Sequence, residues 1–191
     1  MHWIDRVMWA RGWIRLTGVT VKTTGAIELL DPSVPYVFTS NHQSNFDIPA
    51  TKVALRNRIL LFVTKRSLLY VPLGGWYLWR AGYPLIDRSN KEKARKTLNR
   101  AAEQVRTGTS VLVFPEGTRT SSGEIEDFKR GAFVLAIKAQ VPVVPLTISG
   151  SMAIMSRHGF GVRRGEIHIH VGSPISTASL SLEDRHLLSD Q

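Results

Sequence analysis

Short apolar runs that end in polar loops alternate along this chain with longer segments of helical period. Such alternation predicts an α/β domain, because the apolar runs form buried strands and the amphipathic helices cover the faces of the sheet. We therefore predict a single domain with a mixed, mostly parallel sheet flanked by helices. At 191 residues, the chain is long enough for one domain with its own core and too short for two ordinary domains. The predicted strands are residues 36–39, 59–64, 84–86, 111–114, 143–148 and 167–171.

Two segments have the pattern of helices. Residues 91–106 follow Asn90, a common N-cap residue, and their apolar side chains fall on one face. A second helix is predicted over residues 130–139. In the last predicted strand, apolar residues alternate with His168 and His170, so both histidines face away from the core. We interpret them as exposed strand residues rather than metal ligands.

The start of the chain mixes tryptophans with arginines. Trp3, Trp9 and Trp13 alternate with basic residues, which is typical of a helix lying at a membrane interface. We predict a helical, membrane-associating segment over residues 1–25 and a globular domain over residues 26–191. The alternative is a helix packed on the domain with its arginines exposed. The sequence predicts no signal peptide and no spanning helix, since no segment reaches the roughly 20 apolar residues that a span requires.

The chain is strongly basic, with 25 Lys and Arg residues against 15 Asp and Glu residues and a formal net charge of +10. Such an excess attracts anionic partners, which include nucleic acid, anionic lipid and phosphorylated substrates. A basic nucleic-acid-binding module is the alternative from another functional class, but no nucleic-acid-binding motif is recognisable. The absence of cysteine excludes disulfides, a thiolate nucleophile and zinc–cysteine sites. We predict no metal site.

The block 41–47 (NHQSNFD) directly follows a predicted strand. A histidine at the carboxyl end of a strand in an α/β sheet points into the crevice where ligands usually bind. Asp47 lies five residues after His42, so a tight turn is needed to fold its carboxylate back onto the imidazole. Asp47 would then fix the tautomer of His42, which would take a proton from a hydroxyl as a general base. The spacing alone favours the alternative, in which Asp47 caps a helix and His42 fills a turn.

Two further strand ends carry arginines. The block 114–120 (FPEGTRT) follows an apolar strand; in it Gly117 lets backbone amides approach an anion and Arg119 can clamp a phosphate. The block 82–88 (GYPLIDR) ends another strand in Arg88. The alternatives are an ordinary glycine turn with a solvated arginine, and a surface acid–base pair that contributes little.

These blocks together carry a family resemblance. NHQSNFD, GYPLIDR and FPEGTRT, followed by VPVVPLTI, resemble in order and spacing the four motifs of the 1-acylglycerol-3-phosphate acyltransferase family of glycerolipid acyltransferases. The likeness covers about residues 34–148. The second block departs from the family pattern at Pro84 and Leu85, where a bulkier apolar pair is usual, and this departure affects the expected shape of the wall beside the acceptor.

The resemblance implies an O-acyltransferase. The reaction that it implies moves a fatty acyl group from acyl-CoA or acyl-carrier protein to the sn-2 hydroxyl of lysophosphatidic acid, forming phosphatidic acid. Glycerol 3-phosphate or another lysophospholipid is the alternative acceptor. Residues 26–191 would then be the acyltransferase domain of a peripheral protein that works on an anionic membrane surface, at its cytoplasmic face, without nucleic acid or a cofactor.

The resemblance also assigns roles by position. His42 matches the general base of the family, and Asp47 matches its orienting partner. A thioester is already a good acyl donor, so no side-chain nucleophile is required, and none of the serines lies in a Gly-x-Ser-x-Gly context. The substrate-binding residues expected are Arg88, Glu116, Gly117, Arg119 and Pro145, with Lys65 and Lys129 as further candidates for phosphate binding. The third block is linked to site architecture as well as to acceptor binding, and Pro145 is linked to the acyl donor or to site packing.

Overall fold

A computed structural model of the chain describes residues 9–55, 58–159, 161–186 and 188. The predictions that concern Trp3 and the rest of residues 1–8 lie outside the described residues. The strands are β1 Val19–Gly25, β2 Val37–Ser40, β3 Leu60–Phe62, β4 Thr64–Lys65, β5 Leu85–Ile86, β6 Ser110–Val113, β7 Val143–Ser149 and β8 Gly165–Val171. The helices are α1 Ala10–Leu16, α2 Asp47–Ala54, α3 Gly74–Arg80, α4 Lys91–Arg106, α5 Gly131–Ala139 and α6 Ser151–Ile154, with 3₁₀ segments at Ile27–Leu29, Arg66–Tyr70 and Leu182–His186.

The main sheet has six strands in the order β1-β8-β7-β2-β6-β3. Neighbouring strands run parallel except β7 and β8, which are antiparallel. A separate two-stranded sheet pairs β4 with β5 in parallel. The prediction of a single α/β domain with a mixed, mostly parallel sheet and flanking helices is therefore confirmed.

Burial explains why these segments take these forms. All four residues of β2 are buried, as expected for a central strand of a parallel sheet that is covered on both faces. In β8, the apolar side chains point into the core while His168 and His170 are exposed, as the alternation predicts. Helix α4 begins after Asn90, whose side chain accepts a hydrogen bond of 2.9 Å from the backbone nitrogen of Lys93.

The predicted boundary at residue 25 is wrong for the end of the N-terminal segment. Strand β1 pairs along its whole length with β8, so residues 19–25 belong to the main sheet. Thr20, Lys22 and Thr24 form a polar outer face on this edge strand. For this reason the sequence pattern did not predict a strand here. Membrane association of residues 1–17 stays a prediction.

Helix α1 has one face on the domain and one face outside. Ala10 and Ile14 are buried, whereas Trp9 and Trp13 are about half exposed, at 50% and 47%. The ring of Trp13 also contacts Phe46, with 6.4 Å between the ring centroids. Within the described residues, no helix has both the length and the apolar character needed to cross a bilayer.

The predicted strand 59–64 is two strands in different sheets. β3 pairs with β6, and the chain then turns so that the backbone nitrogen of Thr64 donates to the carbonyl of Pro84 at 3.0 Å. This turn carries β4 away from the main sheet to pair with β5. The small sheet places Lys65 and the segment before Arg88 side by side, which matters for the site.

Candidate functional site

The site forms where two parallel strands end side by side. Thr39 of β2 lies opposite Val113 of β6, so the residues that follow each strand emerge at the same edge of the sheet. His42 follows β2 and Glu116 follows β6. The register of the two strands therefore brings His42 and Glu116 close together. Both residues lie at the carboxyl edge of the sheet, where α/β proteins usually bind ligands.

His42 and Asp47 contact each other directly. The Nδ1 atom of His42 lies 2.7 Å from the Oδ2 atom of Asp47. The chain reverses between them through a turn in which the backbone nitrogen of Asp47 donates to the carbonyl of Ser44, and Asp47 then begins helix α2. The tight turn that the sequence analysis required is present.

The carboxylate of Asp47 is held rigidly. It is fully buried, and its Oδ2 atom also accepts hydrogen bonds from the backbone nitrogens of Gln43 and Ser44, at 2.7 and 2.8 Å. An ionised carboxylate only accepts hydrogen bonds, so Nδ1 of His42 must carry the proton. The Nε2 atom is then the unprotonated ring nitrogen, which is the form that a general base needs.

Three further contacts hold His42, one through its ring and two through its backbone. Its ring stacks on Phe114 with 3.9 Å between the ring centroids. Its backbone nitrogen donates to Oε1 of Glu116 at 2.6 Å, and its carbonyl accepts from the backbone nitrogen of Thr120 at 2.8 Å. The loop after β6 therefore holds the histidine in place as well as lining the site.

Glu116 is buried, and its carboxylate connects the loop of His42 with that of Glu126 by hydrogen bonds. Only 3% of its surface is exposed, and its second oxygen, Oε2, accepts from the backbone nitrogen of Glu126 at 3.2 Å. Burial raises the pKa of Glu116 above its ordinary value, and the hydrogen bonds from the backbone nitrogens of His42 and Glu126 oppose that shift in part. The geometry gives this carboxylate a positioning role, and its part in acceptor binding stays a prediction.

A cavity of about 350 Å³ opens in front of His42. Its walls combine apolar residues such as Phe62, Val63 and Leu98 with a group of cationic side chains. The cationic residues that line it are Lys65, Arg88, Arg119 and Lys129. A hydroxyl on a molecule that carries both an anionic group and an apolar chain fits this combination of walls.

Each arginine reaches the cavity by a different route. Arg88 follows β5 and is brought in by the small sheet, and partial removal of its guanidinium from water lowers the pKa of Arg88 below its ordinary value. Arg119 lies in the loop after β6, where its carbonyl accepts a hydrogen bond of 2.8 Å from Nη1 of Arg157. An arginine stays charged through such a shift, so both present cations to the cavity.

Both the backbone conformation at Gly117 and the close approach of Lys129 favour a glycine at this position. The backbone of Gly117 lies in the left-handed region, with φ at +78°, which favours glycine. A Cβ atom added there would lie 2.6 Å from the Nζ atom of Lys129. The absence of a side chain therefore leaves room for the lysine ammonium at the cavity wall.

The structure does not bring every expected residue to the cavity. Among the described residues that line it, neither Glu116 nor Pro145 is present. Pro145 is an exposed residue in the middle of β7, opposite Thr39 of β2, and its carbonyl accepts from the backbone nitrogen of Gly172. Pro145 therefore lies in the strand next to β2 but does not line the cavity.

The sequence analysis missed the part played by Asn41. This side chain is buried; its Nδ2 atom donates to the carbonyl of Ile148 at 2.8 Å, and its Oδ1 atom accepts from the nitrogen of Ile148 at 2.7 Å. The two bonds tie the end of β2 to β7 just before His42. The only signal in the sequence was its position in the block 41–47.

Among the residues that the structure describes, no group of three or more His, Cys, Asp or Glu side chains could hold a metal ion. The exposed histidines of β8 instead contact neighbouring polar side chains. Nε2 of His168 lies 3.3 Å from Glu166, and Nδ1 of His170 lies 3.2 Å from the hydroxyl of Thr24.

Comparison with known proteins adds independent information. Residues 20–149 match the family described as Acyltransferase. The chain is 36% identical over 177 residues to human 1-acyl-sn-glycerol-3-phosphate acyltransferase alpha, covering 92% of this chain and 62% of the human protein. It is 35% identical over 173 residues to 1-acyl-sn-glycerol-3-phosphate acyltransferase of Saccharomyces cerevisiae, covering 87% of this chain and 55% of the yeast protein. The chain thus spans about 60% of the length of these curated relatives.

The fold also matches a solved structure. The crystal structure of the 1-acyl-sn-glycerophosphate acyltransferase PlsC from Thermotoga maritima superimposes with a TM-score of 0.82, covering 98% of this chain and 75% of that one. The sequence identity of this pair is 22%, so the match shows a shared fold.

Proposed function

The chain belongs to the Acyltransferase family, and from this premise we propose that it transfers a fatty acyl group to the sn-2 hydroxyl of lysophosphatidic acid, forming phosphatidic acid. The donor is a fatty acyl thioester, acyl-CoA or acyl-carrier protein. The observation that carries the proposal is the contact of His42 with Asp47 in a cavity that Arg88 and Arg119 also line. The names of the human and yeast relatives supply the acceptor.

The catalytic step follows from the tautomer that Asp47 imposes. Nε2 of His42 accepts the proton of the acceptor hydroxyl while the hydroxyl oxygen bonds to the thioester carbonyl carbon. The tetrahedral intermediate then collapses, the carbon–sulfur bond breaks, and the thiolate leaves with a proton returned from the imidazolium. Asp47 stabilises that imidazolium between the two proton transfers.

The cavity fits the two chemical parts of the acceptor. Arg88 and Arg119 offer charge-assisted hydrogen bonds to a phosphate, and Lys65 and Lys129 add positive charge. The apolar wall that includes Phe62 and Leu98 suits an acyl chain. Acceptors with a bare phosphate, such as glycerol 3-phosphate, satisfy the cationic wall and leave the apolar wall unused.

The substrate also defines where the enzyme works. Lysophosphatidic acid and its product carry acyl chains and reside in bilayers, so the cavity must reach a lipid surface. We place the enzyme as a peripheral protein on the cytoplasmic face of a membrane, with residues 1–17 and their tryptophans as one attachment. The net charge of +10 favours anionic headgroups over neutral ones.

The test is a panel of acceptors analysed by mass spectrometry. Lysophosphatidic acid, glycerol 3-phosphate, other lysophospholipids and a phosphate-free monoacylglycerol are each offered with acyl-CoA and with acyl-carrier protein. We expect phosphatidic acid as the principal product and the lysophosphatidic acid acceptor to be preferred. A protein that acylates only glycerol 3-phosphate, or that acylates no acceptor while binding nucleic acid tightly, would contradict the proposal.

A further inference from the structure

The segment between β4 and β5 exposes an apolar surface. It contains the 3₁₀ segment Arg66–Tyr70 and helix α3, and several of its largest side chains point away from the domain. We define the 68–79 surface by its exposed residues Leu68 (40%), Tyr70 (86%), Val71 (48%), Leu73 (87%), Trp76 (65%) and Trp79 (64%). Large contiguous apolar exposure of this kind marks an interaction site on a folded protein.

The backbone holds these side chains outward. A Cβ atom added to Gly75 would lie 2.0 Å from the carbonyl oxygen of Leu69, so the start of α3 packs directly on the 3₁₀ segment. The backbone nitrogen of Gly75 donates to the carbonyl of Val71 at 2.7 Å. Leu73 has a positive φ of +60°, a conformation that a leucine keeps only where the surrounding structure imposes it.

Helix α3 is apolar on both sides. Tyr77 and Leu78 pack against the core of the domain, while Trp76 and Trp79 are exposed. A helix that only covered the sheet would carry polar residues on its outer side. Tryptophan and tyrosine are the residues that favour the boundary between headgroups and acyl chains.

Basic residues lie at both ends of this surface, although Asp87 lies near one of them, Arg66. Between Asp47 and Asp87 the sequence contains no acidic residue. Lys65, Arg66 and Arg80 are exposed at the two ends of the 68–79 surface. Anionic headgroups complement this arrangement. A second copy of the chain does not, since a symmetric contact would bring the same cations together.

The 68–79 surface continues into the cavity. Lys65, Ser67 and Leu68 line the cavity that contains His42, and the last of them also belongs to the exposed surface. We propose that the 68–79 surface docks the protein on an anionic bilayer, with Trp76 and Trp79 in the interface and the cavity mouth facing the lipid. This inference rests on the proposed function only for the identity of the lipid that enters the cavity.

The experiment uses the protein's own tryptophans. The full chain has five tryptophans, Trp3, Trp9, Trp13, Trp76 and Trp79. Replacing the first three by Phe leaves Trp76 and Trp79 as the fluorophores. This protein is mixed with vesicles of phosphatidylcholine and phosphatidylserine in which the phosphatidylcholine carries bromine on its acyl chains. We expect quenching of fluorescence, and weaker quenching with vesicles of phosphatidylcholine alone. Emission unchanged on anionic vesicles that bind the protein would overturn the proposal.

A second measurement compares variants by vesicle flotation. Trp76→Ala combined with Trp79→Ala should lower the vesicle partition coefficient about tenfold or more, because the apolar area buried in the lipid is lost. The control combines Leu29→Ala with Leu182→Ala, two exposed leucines outside the surface, and should leave partition unchanged. Equal partition coefficients of the two variants would overturn the proposal. So would a dimer of the native protein that is lost in the tryptophan variant and kept in the control.

Acyl transfer to dispersed short-chain lysophosphatidic acid separates this inference from the proposed function. We expect the tryptophan variant to keep its turnover on dispersed acceptor and to lose turnover on acceptor held in vesicles. Quenching and flotation as expected in a protein that makes no phosphatidic acid would support the docking surface and contradict the proposed function. Full activity on vesicles in the tryptophan variant would contradict the docking surface and leave the proposed function intact.

Discussion

The Oε1 atom of Glu116 lies 2.6 Å from the backbone nitrogen of His42, and this bond joins the loops that follow two neighbouring strands. The same carboxylate accepts from the backbone nitrogen of Glu126 through Oε2. Glu116 thus holds the backbone of His42, while Asp47 holds its imidazole through Nδ1. Glu116 is not among the described residues that line the cavity, yet its carboxylate holds the backbone of His42 in place.

Replacing Glu116 by Gln should lower turnover more than acceptor binding. A glutamine amide has one acceptor oxygen, so one of the two buried backbone N–H groups loses its partner, at a cost of about 1–3 kcal/mol. We expect a lower kcat with a similar KM for the acceptor. Glu124→Gln, at an exposed glutamate of the same loop, is the matched control. An unchanged kcat in Glu116→Gln would show that Glu116 does not position His42.

The raised pKa of Glu116 also predicts a dependence of stability on pH. Above the ordinary value of 4.5 and up to the raised pKa in the folded protein, the folded state binds more protons than the unfolded state. The unfolding free energy contributed by this group therefore falls as pH rises through that window. Urea unfolding of the native protein and Glu116→Gln across this range should show a smaller decline for the variant. Parallel curves would contradict the assignment.

Most of the layout could be predicted because it depends on local pattern. Apolar runs marked the central strands, and polar residues at their ends marked the edge where His42 and Arg119 lie. Asn90 marked the start of a long helix. These features follow from nearest neighbours in the sequence, and a mostly parallel sheet then brings the strand ends together.

The remainder depends on contacts between distant segments. Strand β1 pairs with β8 across most of the chain, and its polar outer face gives no strand signal. The resemblance linked Glu116 to acceptor binding and to site architecture, but spacing did not predict that its carboxylate accepts a hydrogen bond from the backbone of His42. Pro145 belongs to the fourth resembling block but is not among the described residues that line the cavity. Side-chain direction after a strand depends on the loop's own packing, which spacing does not encode.

Arg88 and Arg119 should govern binding of a phosphate-bearing acceptor. Each supplies charge-assisted hydrogen bonds of about 1.5–3 kcal/mol, so Arg88→Ala or Arg119→Ala should raise the acceptor KM roughly ten- to a hundredfold. An acceptor without phosphate should be insensitive to both changes. Arg95→Ala, an exposed arginine on α4, is the control. Equal losses for both kinds of acceptor would assign the arginines to the fold instead.

Attachment through the N-terminal segment predicts two separable effects. Raising the salt concentration should weaken binding to anionic vesicles, because attraction of about 1 kcal/mol per basic residue near the surface is screened. Replacing Trp3, Trp9 and Trp13 by Ala should weaken binding even at low salt, because apolar contact is lost. Vesicle flotation measures both. Binding that is unchanged by replacing the three tryptophans would place the apolar part of the attachment elsewhere on the chain.

Asp47→Asn tests the orienting role of the carboxylate. An asparagine can still accept a backbone hydrogen bond, but its amide nitrogen facing Nδ1 would favour the wrong tautomer of His42. We expect turnover to fall by at least about a hundredfold, with little change in acceptor KM. The control is Asp184→Asn, because the carboxylate of Asp184 accepts a hydrogen bond from the nearby Ser181. This change should have almost no effect on turnover. A folded Asp47→Asn enzyme with ordinary turnover would remove Asp47 from the mechanism.

The most direct measurement is the rate of phosphatidic acid formation by the native protein and by His42→Ala, followed by mass spectrometry. Both proteins receive lysophosphatidic acid with acyl-CoA or acyl-carrier protein, and circular dichroism confirms that both are folded. Since Nε2 of His42 is the only base assigned to the acceptor hydroxyl, the account predicts product from the native protein and at least about a hundredfold less from His42→Ala, with acceptor binding retained. Near-native turnover in a folded His42→Ala protein would contradict it.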